Sequence, residues 1–389
     1  MNHTTQYAEN EVIQITNQII QDAIAKRASD IHFEPYQALY RIRIRVDGVL
    51  QMIRTLSVTL AKQVTVRIKI MANLNIAEQR LPQDGQLAIG NLTMRISTLP
   101  ILYGEKIVLR IMDNSQHGLS LDQVGLDPQQ LNDYKTLLDS PQGLILVTGP
   151  TGSGKTITLY SGLNYVDSSQ RNVCSVEDPI EIPLLGINQT QVNIKAGLDF
   201  TSVLRALLRQ DPDIIMIGEI RDQITAEIAI QAAQTGHLVL STLHTNSTAE
   251  TLVRLSQMGI KTYLIAACLK LVIAQRLIRK LCPHCKIIAT DPLIIEEDGQ
   301  TNQYSQYIAK GCEHCLGGYY ERIGIYEFLI ITPEIRSLLL ASDQFSLNQI
   351  QQLIIQQQII TLSISALNLV KNGITSLAEV QRVLGENNY

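Results

Sequence analysis

The stretch LILVTGPTGSGKT, residues 144–156, constrains the fold of this chain more than any other. Gly149-Pro150-Thr151-Gly152-Ser153-Gly154-Lys155-Thr156 fits the pattern G-x-x-x-x-G-K-[ST] and stands between a short apolar run and a helical pattern, the context in which such a loop works. Its glycines let backbone N–H groups curl around phosphate oxygens, and the helix that follows turns its positive end towards them. Lys155 is expected to reach the β and γ phosphates of a nucleotide, and Thr156 to ligate Mg2+. A glycine-rich turn that binds nothing is the alternative, and pattern and context together disfavour it. The runs LILVTG, NVCSVEDP, DIIMIGE and HLVLSTLH alternate with helical patterns, which implies an α/β fold with a buried parallel sheet.

Ligands of a parallel sheet gather at the carboxyl ends of its strands. DIIMIGEIRD places Glu219 at such an end, a candidate for the Mg2+ side of the site, and SVEDPIE places Glu177 and Asp178 at another, with Glu177 the candidate to polarise an attacking water. Solvated acids in loops are the rival reading of both. TGHLVLSTLHTNS puts His237 before a strand and Thr242 and His244 after it, so that His244 is a candidate sensor of the γ phosphate, although a lone histidine is more often structural.

A second feature lies upstream. YRIRIRVDG, residues 40–48, alternates charge and hydrocarbon with period two, so a strand puts Arg41, Arg43 and Arg45 on one face and Ile42, Ile44 and Val46 on the other before an Asp-Gly turn. The chain has a net charge of −4, yet residues 41–110 hold eleven Lys or Arg against four Asp or Glu, a local +7. Any anion-binding face therefore belongs to the N-terminal part. A solvated edge strand whose charges discourage aggregation is the plain alternative.

CPHC and CEHC supply Cys282, Cys285, Cys312 and Cys315, two C-x-x-C knuckles with 26 residues between them. Four thiolates suit tetrahedral Zn2+, and a closed four-cysteine site is structural because no position is left for water. His284 and His314 are possible substitutes, and a pair of redox dithiols is the rival. The other two cysteines, Cys174 and Cys268, sit in apolar contexts that read as core.

No apolar stretch reaches the roughly 18 residues a membrane span needs, and MNHTTQYAEN has neither the basic start nor the apolar centre of a signal peptide, so the chain reads as cytoplasmic. The expected organisation is a mixed α/β domain over 1–115, an ATPase-type core over 116–280, a cysteine module over 281–318 and a helical region over 319–389. Within the first domain helices are expected over about 12–24 and 58–73, with strands near 86–97 and 106–112; NSQHGLSLDQVGLDP, 114–128, reads as a linker.

In this order ASDIHFEP, RIRIRVDG, IMANLNIAEQRLPQDGQ, GPTGSGKT, SVEDPIE, DPDIIMIGEIRD and TGHLVLSTLHTNS resemble the signatures of the secretion ATPases that power type II secretion and type IV pilus assembly. The last three are similar to that family's Asp box, Walker B segment and His box. The resemblance implies a homo-hexamer, each subunit pairing a PAS-like N-terminal domain with a RecA-like P-loop NTPase core. It also implies ATP bound near the domain junctions, a zinc module of the kind carried by the extension and secretion branches, and an inner-membrane platform protein as partner. On this resemblance Arg43, Arg45 and Arg80 become candidate arginine fingers. Family members commonly carry a further N-terminal domain that docks onto a membrane partner, and this sequence starts just before the domain with the arginine strand, which leaves the docking mode open. A pilus-assembly motor is the leading expectation and a type II secretion motor the next. A DNA translocase ranks lower, because a chain with no Trp and only four Phe is poorly equipped to stack single strands, so no nucleic-acid partner is expected. A non-hydrolysing nucleotide-dependent scaffold also stays open.

Overall fold

The computed structural model describes residues 3–385 apart from 91, 113–119, 298–299 and 342–344. The chain divides into two units, Met1–Gln116 and His117–Tyr389. The boundary, like the first half of the expected linker, lies outside the described residues.

The N-terminal unit runs α1 (His3–Ala25), β1 (Asp30–Pro35), β2 (Tyr40–Val46), β3 (Val49–Leu56), α2 (Val58–Met71), β4 (Gln83–Ile89), β5 (Leu92–Ile101) and β6 (Gly104–Met112). Its strands form one antiparallel sheet in the order β3-β2-β1-β6-β5-β4. The period-two reading of β2 holds: Tyr40, Ile42, Ile44 and Val46 are buried, and the three arginines between them are half-buried on the other face. Asp47 and Gly48, at φ 49° and 84°, make the tight β2–β3 turn, a left-handed pair that Asp-Gly tolerates well. The strand expected over 86–97 is instead two, β4 and β5, folded back at Gly90 with φ 59°, where any other residue is strained.

The second unit runs α3 (Pro128–Leu138), β7 (Gly143–Thr148), α4 (Lys155–Tyr165), β8 (Val173–Glu177), β9 (Asn188–Gln191), α5 (Phe200–Leu207), β10 (Ile214–Ile217), α6 (Gln223–Gln234), β11 (Leu238–Leu243), α7 (Thr248–Gln257), α8 (Thr262–Cys268) and β12 (Leu269–Leu281). There follow the short strands β13 (Ile287–Ile288), β14 (Leu293–Glu297), β15 (Gln300–Tyr304) and β16 (Tyr307–Ile308), then β17 (Tyr319–Ile330) and the helices α9 (Pro333–Ala341), α10 (Leu347–Gln356), α11 (Leu362–Lys371) and α12 (Leu377–Leu384). The main sheet has the order β17-β12-β7-β11-β10-β8-β9, and every pairing but β12 with β17 is parallel.

Both faces of this sheet are covered, as parallel strands require. Leu144 and Leu146 of β7 enter one core with Val239, Ile215 and Ile217, while Ile145 and Val147 enter the other with Leu238, Leu240, Tyr134 and Leu159. Cys174 and Cys268 belong to the first of these cores, 2% exposed each. The region expected to be helical over 319–389 opens instead with β17, a strand that pairs with β12 from Leu271↔Ile330 to Leu281↔Tyr319. Its run Gly324-Ile-Tyr-Glu-Phe-Leu is buried almost throughout, so no alternation betrays it, and only its partner β12 makes it a strand.

Candidate functional site

The loop between β7 and α4 is shaped by glycines at φ 151° (Gly149), 79° (Gly152) and 88° (Gly154). A Cβ on Gly149 would stand 2.5 Å from the Gln275 carbonyl oxygen and 2.6 Å from Ser153 Oγ, and one on Gly154 2.8 Å from Gln275 Nε2. Helix α4 starts at Lys155 with Gly154 as its cap, so no side chain closes the first turn. Ser153 Oγ is buried and has no hydrogen-bond partner among the described residues. An orphaned hydroxyl inside a glycine cradle at an uncapped helix start fits a phosphate group. Lys155 is 8% exposed, donates to the carbonyl oxygens of Gly149 at 2.8 Å and Pro150 at 3.1 Å, and is pushed down to about 8 by burial, with Arg276 adding to the effect and Glu219 opposing it. Thr156 is half-buried one residue along α4.

The parallel sheet brings the other predicted residues to the same edge. Glu219 follows β10, with its carboxylate held by Arg221 and by His244 Nε2 at 3.4 Å from Oε2; Arg221 also reaches Asp178 at 3.8 Å. The Arg221 hydrogen bond is the chief reason that the Glu219 carboxyl lies below the ordinary carboxylate range. Thr148 Oγ1 at the end of β7 bonds Thr245 Oγ1 at 2.6 Å and receives the Thr245 N–H at 2.9 Å, which clamps the segment after His244 to the phosphate-loop strand. Glu177 is placed differently: it is 3% exposed and takes hydrogen bonds from Tyr160 on α4, from Ser175 Oγ at 2.6 Å and from Gln189 Nε2 at 3.0 Å. Oε1 takes two of these donors and Oε2 one, so the remaining acceptor capacity for a water is on Oε2.

Cys282, Cys285, Cys312 and Cys315 bring their sulfurs within 4.8 Å of one another. The separations Cys282–Cys312 at 3.9 Å, Cys285–Cys315 at 3.6 Å and Cys312–Cys315 at 3.6 Å match the roughly 3.8 Å edge that follows from Zn–S bonds of about 2.3 Å at tetrahedral angles. A four-way cluster fits one metal ion better than two separate dithiols. The rings of His284 and His314 pack on each other, centroids 4.8 Å apart.

The profile of the family described as "Type II/IV secretion system protein" matches residues 5–382. This chain belongs to that family. It is 50% identical over 376 residues to the "Protein transport protein HofB homolog" of Escherichia coli strain K12, covering 96% of this chain and 81% of the relative. It is 46% identical over 382 residues to the "Type IV pilus assembly ATPase PilB" of Pseudomonas aeruginosa, covering 96% and 67%. It is 44% identical over 382 residues to the "Type II secretion system protein E" of Pectobacterium carotovorum, covering 96% and 76%. The solved structure of the "Pilus Retraction Motor PilT and Bound ADP" superposes with a TM-score of 0.64 at 26% identity, over 95% of this chain and 96% of that one. The main sheet with its flanking helices is thus the RecA-like P-loop core of a secretion-system protein, joined to a smaller mixed α/β unit and a four-cysteine module.

In this family member the arginine strand is already in company. Arg43 makes two hydrogen bonds to Glu34, which also pairs with Arg41 at 3.0 Å and Lys106 at 3.2 Å. Arg45 is held less firmly, 3.7 Å from Asp30 and 2.9 Å from the Gly48 carbonyl oxygen. Arg80 is 91% exposed on a loop pinned from behind by Gln83, which bonds Asn75 and Glu78, and by the buried Lys69, whose ammonium reaches the Glu78 carbonyl oxygen at 2.6 Å.

Two residues at the phosphate loop escape a reading by motif: Gln275 and Arg276 of β12, 2% and 7% exposed. Gln275 accepts from Thr158 Oγ1 of α4 at 2.7 Å. The available signal was a Gln-Arg pair inside an otherwise apolar strand, VIAQRLI.

Proposed function

We propose that this chain is an ATPase that hydrolyses ATP with Mg2+ at the 149–156 loop, and that it works as a homo-hexameric motor driving type IV pilus assembly. The observation that carries the reading is the loop itself: a glycine cradle, an orphaned Ser153 hydroxyl and a buried Lys155 at an uncapped helix start, at the carboxyl edge where Glu219 and His244 meet. The relatives named as pilus assembly ATPases and the ADP-bound retraction motor support it.

In this reading Lys155 and the amides of residues 149–156 bind the β and γ phosphates, and Thr156 and Glu219 hold Mg2+. His244, bonded to Glu219, reports the γ phosphate to β11. Glu177 sets the position of α4 through Tyr160 and polarises water through the remaining acceptor capacity of Oε2. Arg43, Arg45 and Arg80 remain the finger candidates. Cys282, Cys285, Cys312 and Cys315 hold a structural Zn2+. The partner is an inner-membrane platform protein, to which a cytoplasmic hexamer attaches peripherally; no helix of the described residues is long and apolar enough to cross a membrane itself. A type II secretion motor is the second reading, favoured by the relatives of that name at nearly equal identity.

The deciding experiment is ATP turnover by the purified chain beside Lys155→Ala and Glu219→Gln, with particle mass followed by light scattering. Turnover that needs both residues and rises with hexamer formation supports the motor. A hexamer without turnover, with both variants indistinguishable from it, points to a scaffold. Expression in cells lacking their own pilus assembly ATPase, or their own secretion ATPase, then separates the two branches by which defect is repaired.

A further inference from the structure

Arg276 is a buried cation without an acid of its own. Its Nη1 donates to the Gln275 carbonyl oxygen at 2.9 Å, and its Nη2 to the Asn246 carbonyl oxygen at 3.0 Å and to Asn246 Oδ1 at 3.3 Å. Among the described residues no carboxylate forms an ion pair with it; Glu250 and Glu327 act on it only through space. A buried charge with no opposite charge in contact is costly to keep in a purely structural role, which makes its surroundings informative. Nη1 lies 3.1 Å from where a Cβ on Gly149 would stand, so the guanidinium packs against the first glycine of the phosphate loop. The register Ala274↔Thr148 between β12 and β7 puts it there. Through Asn246 the same group grips the segment just after His244.

We propose that Arg276 is a positioning residue of the nucleotide site, fixing the Gly149 peptide relative to the segment after His244 and supplying a second buried positive charge beside Lys155. The inference rests on the reading of the 149–156 loop as the ATP site. Two buried cations at one loop leave an excess of positive charge that an anionic phosphate chain offsets. Gly149 and Arg276 are mutually dependent, since any side chain at Gly149 would displace the guanidinium.

The test uses the full chain and measures Mg-ADP affinity together with the kcat and KM of ATP turnover, for wild type, Arg276→Gln, Arg276→Lys and Asn246→Ala. In Arg276→Gln, ADP affinity is expected to fall about tenfold. Arg276→Lys should keep the wild-type ADP affinity while losing kcat, since the charge stays but an ammonium cannot make both bonds of the fork. Asn246→Ala, which loosens the anchor and keeps the charge, should lower kcat severalfold with the ADP affinity in place. Wild-type ADP affinity in Arg276→Gln, whatever its thermal stability, would overturn the charge role; wild-type kcat in Asn246→Ala would overturn the positioning. Failure of the wild type itself to bind Mg-ADP would instead remove the underlying reading of the loop and the proposal with it.

Discussion

Arg43 holds Glu34 through two parallel bonds, Nε to Oε2 at 2.9 Å and Nη2 to Oε1 at 2.8 Å. A guanidinium committed in this way is a costly one to withdraw for chemistry elsewhere, whereas among the described residues Arg45 has a 3.7 Å pair with Asp30 and one carbonyl contact. The two residues should therefore part company under substitution. Arg43→Ala is expected to destabilise the chain by about 1–3 kcal/mol, a loss of several degrees in unfolding temperature. Arg45→Ala should stay within about 1 kcal/mol of wild type. If Arg45 is a finger, its loss lowers ATP turnover by on the order of 10³ with ADP binding kept. Unchanged turnover in both variants would remove the arginine strand from the chemistry.

Glu34 also sets an acid limit. Burial works against its ionisation, but hydrogen bonds from Arg43, Lys106 and Arg41 outweigh it and hold the carboxyl at about 2, below the ordinary 4.5. A carboxyl depressed by folding contributes stability that is complete above its unfolded value and is lost as pH falls towards the folded one. Hydrogen-exchange protection of the β1 and β2 amides in the full chain should accordingly decline between about pH 4.5 and 2. Glu34→Gln should start lower and show a flatter profile over that window; an equally steep decline in the variant would assign the transition to other carboxyls.

The reach of sequence reading here follows how far each side chain must travel to its partner. The phosphate loop and the cysteine knuckles were legible because their groups lie within a few residues of one another, and the Asp47-Gly48 turn because both residues carry its left-handed backbone themselves. Glu219 and His244 could be placed on one edge because a parallel sheet aligns its strand ends, and they meet at 3.4 Å. Arg276 was not legible: it reaches Gly149 only after β12 has paired with β7, and nothing local announces that pairing. For the same reason β17 lies hidden in a region that is otherwise helical, and the donors to Glu177 from Tyr160 and Gln189 have no local signature.

The four-cysteine module is a small one, and its short strands bury few apolar side chains; Leu293 and Cys282 are among them. A metal ion is thus expected to supply its folding energy. Freshly reduced protein should carry about one Zn2+ per chain, and Cys312→Ser should lose it. The effect should spread beyond the module, because Lys286 Nζ bonds the Gly373 carbonyl oxygen at 2.8 Å and the Leu281 N–H bonds Ile374 at 2.7 Å, tying it to the turn between α11 and α12. Chelation is therefore expected to expose the amides of 372–376 to exchange together with those of 282–318, while the β7–α4 loop keeps its protection. Metal analysis that finds no zinc in the reduced chain would overturn the assignment.

Glu327 of β17 joins two helix starts to the sheet. Its Oε1 accepts from the Thr248 N–H at 3.0 Å and from Thr248 Oγ1 at 2.5 Å, and its Oε2 from the Leu362 N–H at 3.3 Å, so one carboxylate, 5% exposed, serves the first turns of α7 and α11. A negative charge at two helix N-termini is stabilised by both dipoles as well as by the bonds. Removing it leaves three buried donors without an acceptor. Glu327→Ala is expected to cost about 3–5 kcal/mol and Glu327→Gln, which keeps one acceptor but turns an amide towards the donors, about 2 kcal/mol. A double-mutant cycle with Thr248→Val isolates the shortest of these bonds, and a coupling of about 1 kcal/mol or more in urea denaturation is expected. Strict additivity would mean that Glu327 acts through its charge at the helix ends and not through the Thr248 hydroxyl. The cycle thereby decides whether β17 fixes the segment after His244 by a specific bond or only by its field.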